Sequence, residues 1–337
     1  MAYSTKTIEQ KDTWENFILS HPEANFLQSW NWGEFHQALG HKIIRTGFFK
    51  DSKLQGVMLC VVERAKRGKY LTVPGGPILD WTNKELVKAF KSEIKSLAST
   101  HNCSFVRVRP QLESNDFSKE LFKTLGFKIA PMHLHAELTN QLDVKKPEQD
   151  LLANMRKATR YEIRKAEKLE ITIKESTDFK DIKKFYNLQM ETAKRQGFVP
   201  FSLKFLEEQF RVFANTGNAI LYSSYFEKKL LAQAFIIFYG TEAVYHYGAS
   251  TNDGRQYPGA YLIQWHAIKE AKKRGISVYN FWGVAAEGHR FSNLSMFKRG
   301  FGGEDFAYLH AQDLVINYPK YFINFLVETI RRKIRKV

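Results

Sequence analysis

The sequence predicts an α/β (α+β) protein made of two tandem domains of one design, each a mixed sheet flanked by helices. Three observations carry this. The chain has 337 residues, room for two domains of ordinary size. Its composition is globular, 44% hydrophobic and 14% aromatic, so it can bury a sizeable core. The apolar patterns also run twice through one order: helix, helix, three strands, helix, strand, helix, strand. The repeat sets the expected domains at residues 1–145 and 146–337.

In the first pass, residues 12–19 and 32–39 have the spacing of short amphipathic helices, joined by the aromatic link Asn25 to Trp32. Residues 43–50 and 55–63 read as paired strands around the turn Asp51-Ser52-Lys53, and 69–73 as a third strand. Pro74-Gly75-Gly76-Pro77 forces a corner. A helix over 84–99, a strand over 104–108, a helix near 117–125 and a strand over 133–138 complete the domain. His133 and His135 alternate onto one face of that last strand. With no third ligand at a sensible spacing they point to a structural or surface role, and no metal is expected.

The second pass opens with a helix over 147–170, a strand over 171–174 and helices over 180–196 and 203–214. Strands over 219–227, 230–239 and 243–249 follow, joined by Glu227-Lys228-Lys229 and Gly240-Thr241-Glu242. A helix over 259–274, a strand over 277–282 and a late strand over 306–314 close the repeat.

Charge narrows the partners. Fifty-one Lys and Arg against thirty-five Asp and Glu leave a net +16, an excess that suits RNA, an anionic membrane or phosphorylated substrates. The longest apolar runs, such as 57–62, are too short to span a bilayer, and the first dozen residues lack the apolar segment of a secretory signal. Cys60 and Cys103 sit in strand-like runs and read as reduced core thiols of a cytoplasmic protein.

Three stretches carry candidate chemistry. In the helix at 147–170, Arg156, Arg160, Arg164 and Lys168 recur every four residues and make a sloping basic stripe. It is either an RNA-binding face or, because Glu162 and Glu167 partly neutralise it, a solvated one. Tyr245 and Tyr247 alternate onto one strand face ahead of an open loop shaped by Gly248, Gly254, Pro258 and Gly259. At Ser277 to Gly303, a buried strand ends at Gly283, and the polar loop Glu287-Gly288-His289-Arg290 leads to a short helix with Ser292 or Asn293 as cap. Gly300, Gly302 and Gly303 then form a corner. Lys298 and Arg299 beside that corner suit either an anion such as phosphate or carboxylate, or plain solvation. Gly283 to Gly288 has the glycine spacing of a phosphate loop, but His289 and Arg290 stand where Lys and Ser or Thr are needed, which excludes a P-loop ATPase.

The order of elements resembles the GNAT acyltransferase fold. In GNAT enzymes that use acetyl-CoA, a glycine-rich pyrophosphate cradle precedes the helix that here begins near Gly259. Gln256-Tyr257-Pro258-Gly259-Ala260-Tyr261 misses the final small residue of that pattern, which argues against acetyl-CoA as donor.

Across nearly its whole length the chain resembles the FemABX peptidyltransferases. The resemblance rests on Gln28-Ser29-Trp30-Asn31-Trp32, Pro74-Gly75-Gly76-Pro77, the run Thr159 to Glu167, Tyr245-His246-Tyr247-Gly248-Ala249-Ser250, and Phe297-Lys298-Arg299-Gly300-Phe301-Gly302-Gly303. No sustained heptad segment is present, so it resembles the short form without a coiled-coil arm. The resemblance implies transfer of an amino acid from aminoacyl-tRNA to the stem-peptide amine of a peptidoglycan precursor, with no cofactor. Such chemistry needs two large substrates oriented and one oxyanion stabilised.

By that resemblance, Lys298 and Phe297 are the catalytic candidates, Lys298 holding either the oxyanion or the terminal tRNA phosphate. Arg156, Arg160, Arg164, Lys168 and Arg299 would bind aminoacyl-tRNA. Tyr245, Tyr247, Tyr261 and Trp32 would line the acceptor site. The basic residues that hold a UDP-linked muropeptide in the short form have no counterpart at Trp32-Gly33-Glu34-Phe35 or Val199-Pro200-Phe201-Ser202. A lipid-linked precursor is therefore expected ahead of a UDP-linked one. The C-terminal stretch from Tyr318, with five basic residues among its last seven, suits either peripheral contact with an anionic membrane or a packed final helix. The alternatives are a related N-acyltransferase using acyl-CoA and a non-catalytic binder of tRNA or membrane.

Overall fold

The structure, a computed structural model, describes residues 3–65, 68–197, 199–285, 288–289 and 291–335, with backbone alone at Gln196, Asp253, Arg255 and Arg335. Glu287 and Arg290 of the polar loop and Lys336 of the basic tail lie outside the described residues. The chain divides into one unit of Met1–Glu137 with Ala307–Val337 and a second of Leu138–Phe306.

The first unit opens with β1 (Ser4–Thr7), α1 (Lys11–Leu19), α2 (Trp30–Ala38), β2 (Lys42–Lys50), β3 (Lys53–Ala65), β4 (Gly68–Pro74) and β5 (Ile78–Leu79). It continues through α3 (Lys84–Thr100), β6 (Cys103–Arg109), α4 (Asp116–Thr124) and β7 (Lys128–Ile129). The β2–β3 turn places Asp51 at φ 49 and Ser52 at φ 62, the two positive values that a two-residue hairpin requires. The side chain of Asn83 caps α3 by accepting from Leu86 N. Leu86, Phe90 and Ile94 of α3 then bury against Met58, Cys60, Leu71 and Val106 of the sheet. Both cysteines are free and buried, in agreement with the sequence expectation.

The second unit comprises β8 (Leu138–Asp143), α5 (Glu148–Asn154), α6 (Lys157–Lys168), β9 (Thr172–Ser176), α7 (Ile182–Gln196), α8 (Leu203–Ala214) and β10 (Ala219–Phe226). There follow β11 (Lys229–Tyr239), β12 (Glu242–Ser250), α9 (Gly259–Lys273), β13 (Val278–Gly283), α10 (Ser292–Arg299) and β14 (Glu304–Ala307). Its sheet runs β14-β8-β13-β12-β11-β10-β9, and from β8 to β9 it is antiparallel except where β12 meets β13. One face packs on α9 through Ile263, Trp265 and Ile268, and the other takes Phe210 of α8 against Phe235.

The chain then returns to the first unit as β15 (Gln312–Val315) and α11 (Tyr318–Arg335), completing a sheet ordered β1-β2-β3-β4-β6-β15-β7, with β5 on β3. This corrects the expected second domain of residues 146–337. The return is held by a buried charge network. Arg107 of β6 donates to both carboxylate oxygens of Asp313 on β15 and to Glu328 of α11, each at 2.8 Å, and Tyr321 donates to Asp313 at 3.1 Å.

Three expected elements also change. Residues 133–137 form no strand; the strand is β8, which pairs with β13 in the second sheet. The single helix over 147–170 breaks at Met155, whose ψ of 151 is extended, so α5 and α6 are separate and Arg156 is the N-cap of α6. The late strand over 306–314 is two strands, β14 and β15, in different sheets.

Candidate active site

β12 and β13 pair over only three positions, Glu242–Val244 with Val278–Asn280. Beyond them β12 stays on β11 as far as Ser250, and β13 turns to β8, with Gly283 opposite Thr139. Past Val244 and Asn280 the β12–β13 ladder ends and the two strands diverge. Splayed strands make room for an extended substrate between them.

The end of β13 is shaped by strain. Trp282 has φ 61, a left-handed conformation unusual for a bulky residue. Its N–H is held by Asn280 Oδ1 at 2.8 Å, while Asn280 Nδ2 donates to Glu242 Oε1 at 2.7 Å. Sequence reading did not single out Trp282 or Asn280, since positive φ at a tryptophan has no sequence signature.

Lys298 bridges the two strands where they part. It lies in the last turn of α10, is 6% exposed, and donates from Nζ to the Gly283 carbonyl at 2.7 Å. Its amine stands 5.5 Å from the ring centroid of Tyr245, the first β12 residue past the paired segment. Burial removes water from the ammonium and lowers its pKa from 10.5 to about 7. Phe297, beside it, meets Tyr261 of α9 edge to face at 4.9 Å, and Phe301 at 5.4 Å. Lys298, Phe297, Tyr245 and Tyr261 therefore belong to one cluster.

Tyr247 does not join them, and the expectation of a shared face with Tyr245 is corrected. The β11–β12 register slips by one residue, with Ile236 opposite Tyr245 and Phe235 opposite Tyr247. This bulge reverses the side-chain alternation. Tyr245 packs with Ile236 on the α9 face, whereas Tyr247 packs with Phe235 and Phe201 on the other. His246 sits with Tyr247, its Nε2 3.2 Å from Gln209 and its ring 5.8 Å from Trp282. Burial lowers its pKa to about 3, so the imidazole is neutral.

The supposed basic pair at the glycine corner is split. Lys298 turns inward, while Arg299 forms a fork with Asp305 at 2.6 and 3.0 Å and donates to Ala285 O. The corner itself allows close approach, as expected: Arg156 N donates to Gly300 O at 2.9 Å, and a Cβ on Gly302 would meet the Asn154 backbone at 2.9 Å. The N-cap position of α10 is Phe291, which makes no side-chain cap, so neither Ser292 nor Asn293 is the cap residue.

The basic stripe is also divided. Arg160 donates to the carbonyls of Ala153 and Met155 and closes the break between α5 and α6. Arg156, Arg164 and Lys168 are exposed. Trp32 lies in the first unit, 3% exposed, packed on Phe26, Phe35 and His36. Nearby is a cleft of about 610 Å³ lined by Trp30, Glu34 and Arg45 among others, in which Arg45 pairs with Glu34 at 2.8 Å.

His133 and His135 share no strand. Among the described residues, the group with the closest ligand spacing for a metal is His36, His41 and Glu63. The two imidazole Nδ1 atoms there are 3.0 Å apart, a hydrogen-bond distance that accounts for their approach.

At the start of α9, Pro258 has no N–H, and the space beside Gly259 is filled by Ser224 and Leu231. Gly259 thus serves the close packing of α9 on its own sheet.

The FemAB family profile matches residues 9–128, 122–223 and 221–328. The lipid II:glycine glycyltransferase of Staphylococcus aureus (strain USA300) is 21% identical over 400 aligned positions, which cover 95% of this chain and 94% of that protein. The alignment is longer than this chain, so that relative carries residues absent here. A crystal structure of FemX superposes with a TM-score of 0.85 at 20% identity, over 95% of this chain and 99% of that one. A tandem GNAT protein from the clavulanic acid biosynthesis pathway reaches 0.59 at 10% identity, over 93% and 98%. These likenesses establish a GNAT-like mixed α+β fold.

Proposed function

The chain belongs to the FemAB family, and from that premise we propose that it moves an amino acid from aminoacyl-tRNA to the stem-peptide amine of a peptidoglycan precursor. The observation that carries this reading is the buried amine of Lys298 at the fork of β12 and β13. In this reading the two units are repeats of one acyltransferase fold, and the reaction takes place in the second. The aminoacyl ester lies at the fork where β12 and β13 part, and the acceptor amine attacks its carbonyl carbon. The carbonyl oxygen becomes the oxyanion, held by the Lys298 ammonium. As the C–O bond to the terminal ribose breaks, the attacking nitrogen loses its proton and the ribose oxygen gains one. No enzyme nucleophile is required, because the ester is already activated.

Arg156, Arg164 and Lys168 supply exposed positive charge for the tRNA backbone. The Staphylococcus aureus relative is named for lipid II, and the absence of basic residues at Trp32-Gly33-Glu34-Phe35 and Val199-Pro200-Phe201-Ser202 favours a lipid-linked acceptor here as well. Such an acceptor places the enzyme in the cytoplasm, at the inner face of the plasma membrane. The test is to incubate purified protein with a set of charged tRNAs and either lipid-linked or UDP-linked precursor. A product heavier by one aminoacyl residue, absent with uncharged tRNA, is expected; transfer from acyl-CoA alone would overturn the reading.

A further inference from the structure

α11 is folded inside out. The face turned to its own sheet carries Tyr321, Asn324 and Glu328, which are 5, 4 and 7% exposed. Glu328 is anchored by Arg107 at 2.8 Å, and Tyr321 by Asp313 at 3.1 Å. On the opposite face Tyr318, Phe322, Leu326, Ile330 and Ile334 follow at every fourth position, with Ile323 beside them. They are 63, 60, 44, 55, 75 and 56% exposed in that order. A helix whose task was only to cover the sheet would bury the apolar set and expose the polar one. The apolar surface continues onto β7, where Ile129 is 70% exposed and Lys128 Nζ lies 5.0 Å over the Tyr318 ring.

The exposed charge on α11 itself has one sign. Lys320, Arg331, Arg332 and Lys333 are exposed, and Glu328, the one acidic residue from Tyr318 onward, is buried. The described helices include none long and apolar enough to cross a membrane. An exposed apolar stripe with basic flanks and no free acid is what an interfacial helix presents to anionic headgroups. A second copy of the chain would bring an equally basic face to the contact, and like charges would oppose it.

We propose that α11 lies flat on an anionic lipid bilayer, its Tyr318-to-Ile334 stripe entering the boundary between headgroups and acyl chains. The buried Arg107–Glu328 and Tyr321–Asp313 contacts hold the helix with this face outward before any membrane is met. This goes beyond the transfer reaction and holds for any acyl donor or acceptor.

Co-sedimentation of the full chain with vesicles tests it, using phosphatidylcholine alone and phosphatidylcholine mixed with phosphatidylglycerol. Binding to the mixed vesicles, weakened by salt, is expected. Phe322→Ser with Leu326→Ser and Ile330→Ser should lower that binding by about tenfold or more with an unchanged Tm, since these side chains support no core. Arg331→Gln with Arg332→Gln and Lys333→Gln should remove the preference for phosphatidylglycerol. Equal binding by the serine variant would overturn the proposal. So would a dimer in sedimentation velocity that the serine variant dissolves while wild type ignores both vesicles.

Discussion

Lys298 donates its buried amine to the carbonyl of Gly283 at 2.7 Å, so a side chain at the end of α10 reports directly on the end of β13. Its pKa of about 7 makes its charge sensitive to physiological pH. If the ammonium holds the oxyanion, it does so below about pH 7 and is lost above it. Transfer by wild type should therefore show a limb that descends through about pH 7. Lys298→Ala should lower transfer roughly a hundredfold and lack that limb, as losing one oxyanion donor typically does. A pH profile of kcat/KM for both proteins checks this; a limb that survives the substitution would assign it elsewhere.

The same burial works against stability. The folded pKa lies below the unfolded 10.5, so between about pH 7 and 10.5 the unfolded chain holds a proton that the folded chain has released. Stability of wild type should be lowest below pH 7 and rise across that window. Lys298→Met removes the penalty but leaves the Gly283 carbonyl unpaired, and the net gain near pH 7 should be about 2 kcal/mol, turning into a net loss towards pH 10. Denaturant melts at both pH values read the difference.

The basic stripe should separate into two classes. Replacing Arg156, Arg164 and Lys168 with Gln should flatten the salt dependence of tRNA binding, by about 0.7 in log–log slope for each lost single-strand phosphate contact. Arg160→Gln should instead lower the melting temperature, because its guanidinium closes the α5–α6 break through Ala153 O and Met155 O. Salt titrations and thermal melts on the two variants distinguish the roles.

Gly248→Ala should impair transfer while sparing tRNA affinity. A Cβ at Gly248 would collide with the Tyr245 hydroxyl and push that ring off the amine of Lys298. Tyr247→Phe, on the opposite sheet face, should have a smaller effect on the pH limb than Tyr245→Phe. Steady-state transfer and filter binding measure both.

Asp313→Ala should destabilise the first unit by about 3–5 kcal/mol, since it leaves Arg107 buried with only Glu328 as ionic partner. Chemical denaturation provides the number. A loss below about 1 kcal/mol would mean that the network contributes little to holding the C-terminal return.

Much was legible before the structure. The apolar periodicity of 84–99 and 259–274 placed α3 and α9, because an amphipathic stripe over four turns has few other solutions. The turns at Asp51-Ser52 and Gly240-Thr241 placed the hairpins, because few residues accept their backbone angles. Phe297 and Lys298 stand together in the family motif, while Tyr261 is an expected acceptor residue; the structure packs Tyr261 on Phe297 and sets Tyr245 beside Lys298. The bulge at His246 was not legible, since strict alternation is the default reading of Tyr-His-Tyr and only the register with β11 reverses it. Nor was the fate of Arg299, whose partner Asp305 is set by the path of the chain after Gly303.

The sequence by itself determined most of the helices and strands and the amphipathicity of the last helix, because local propensity and periodicity are properties of neighbouring residues. Only the tertiary structure decided to which sheet β8 and β15 belong, and which way α11 faces. Arg107 lies more than two hundred residues before its partners Asp313 and Glu328. A buried arginine must find its carboxylates wherever the fold brings them, and meeting that need turns the polar side of α11 inward and its apolar side out.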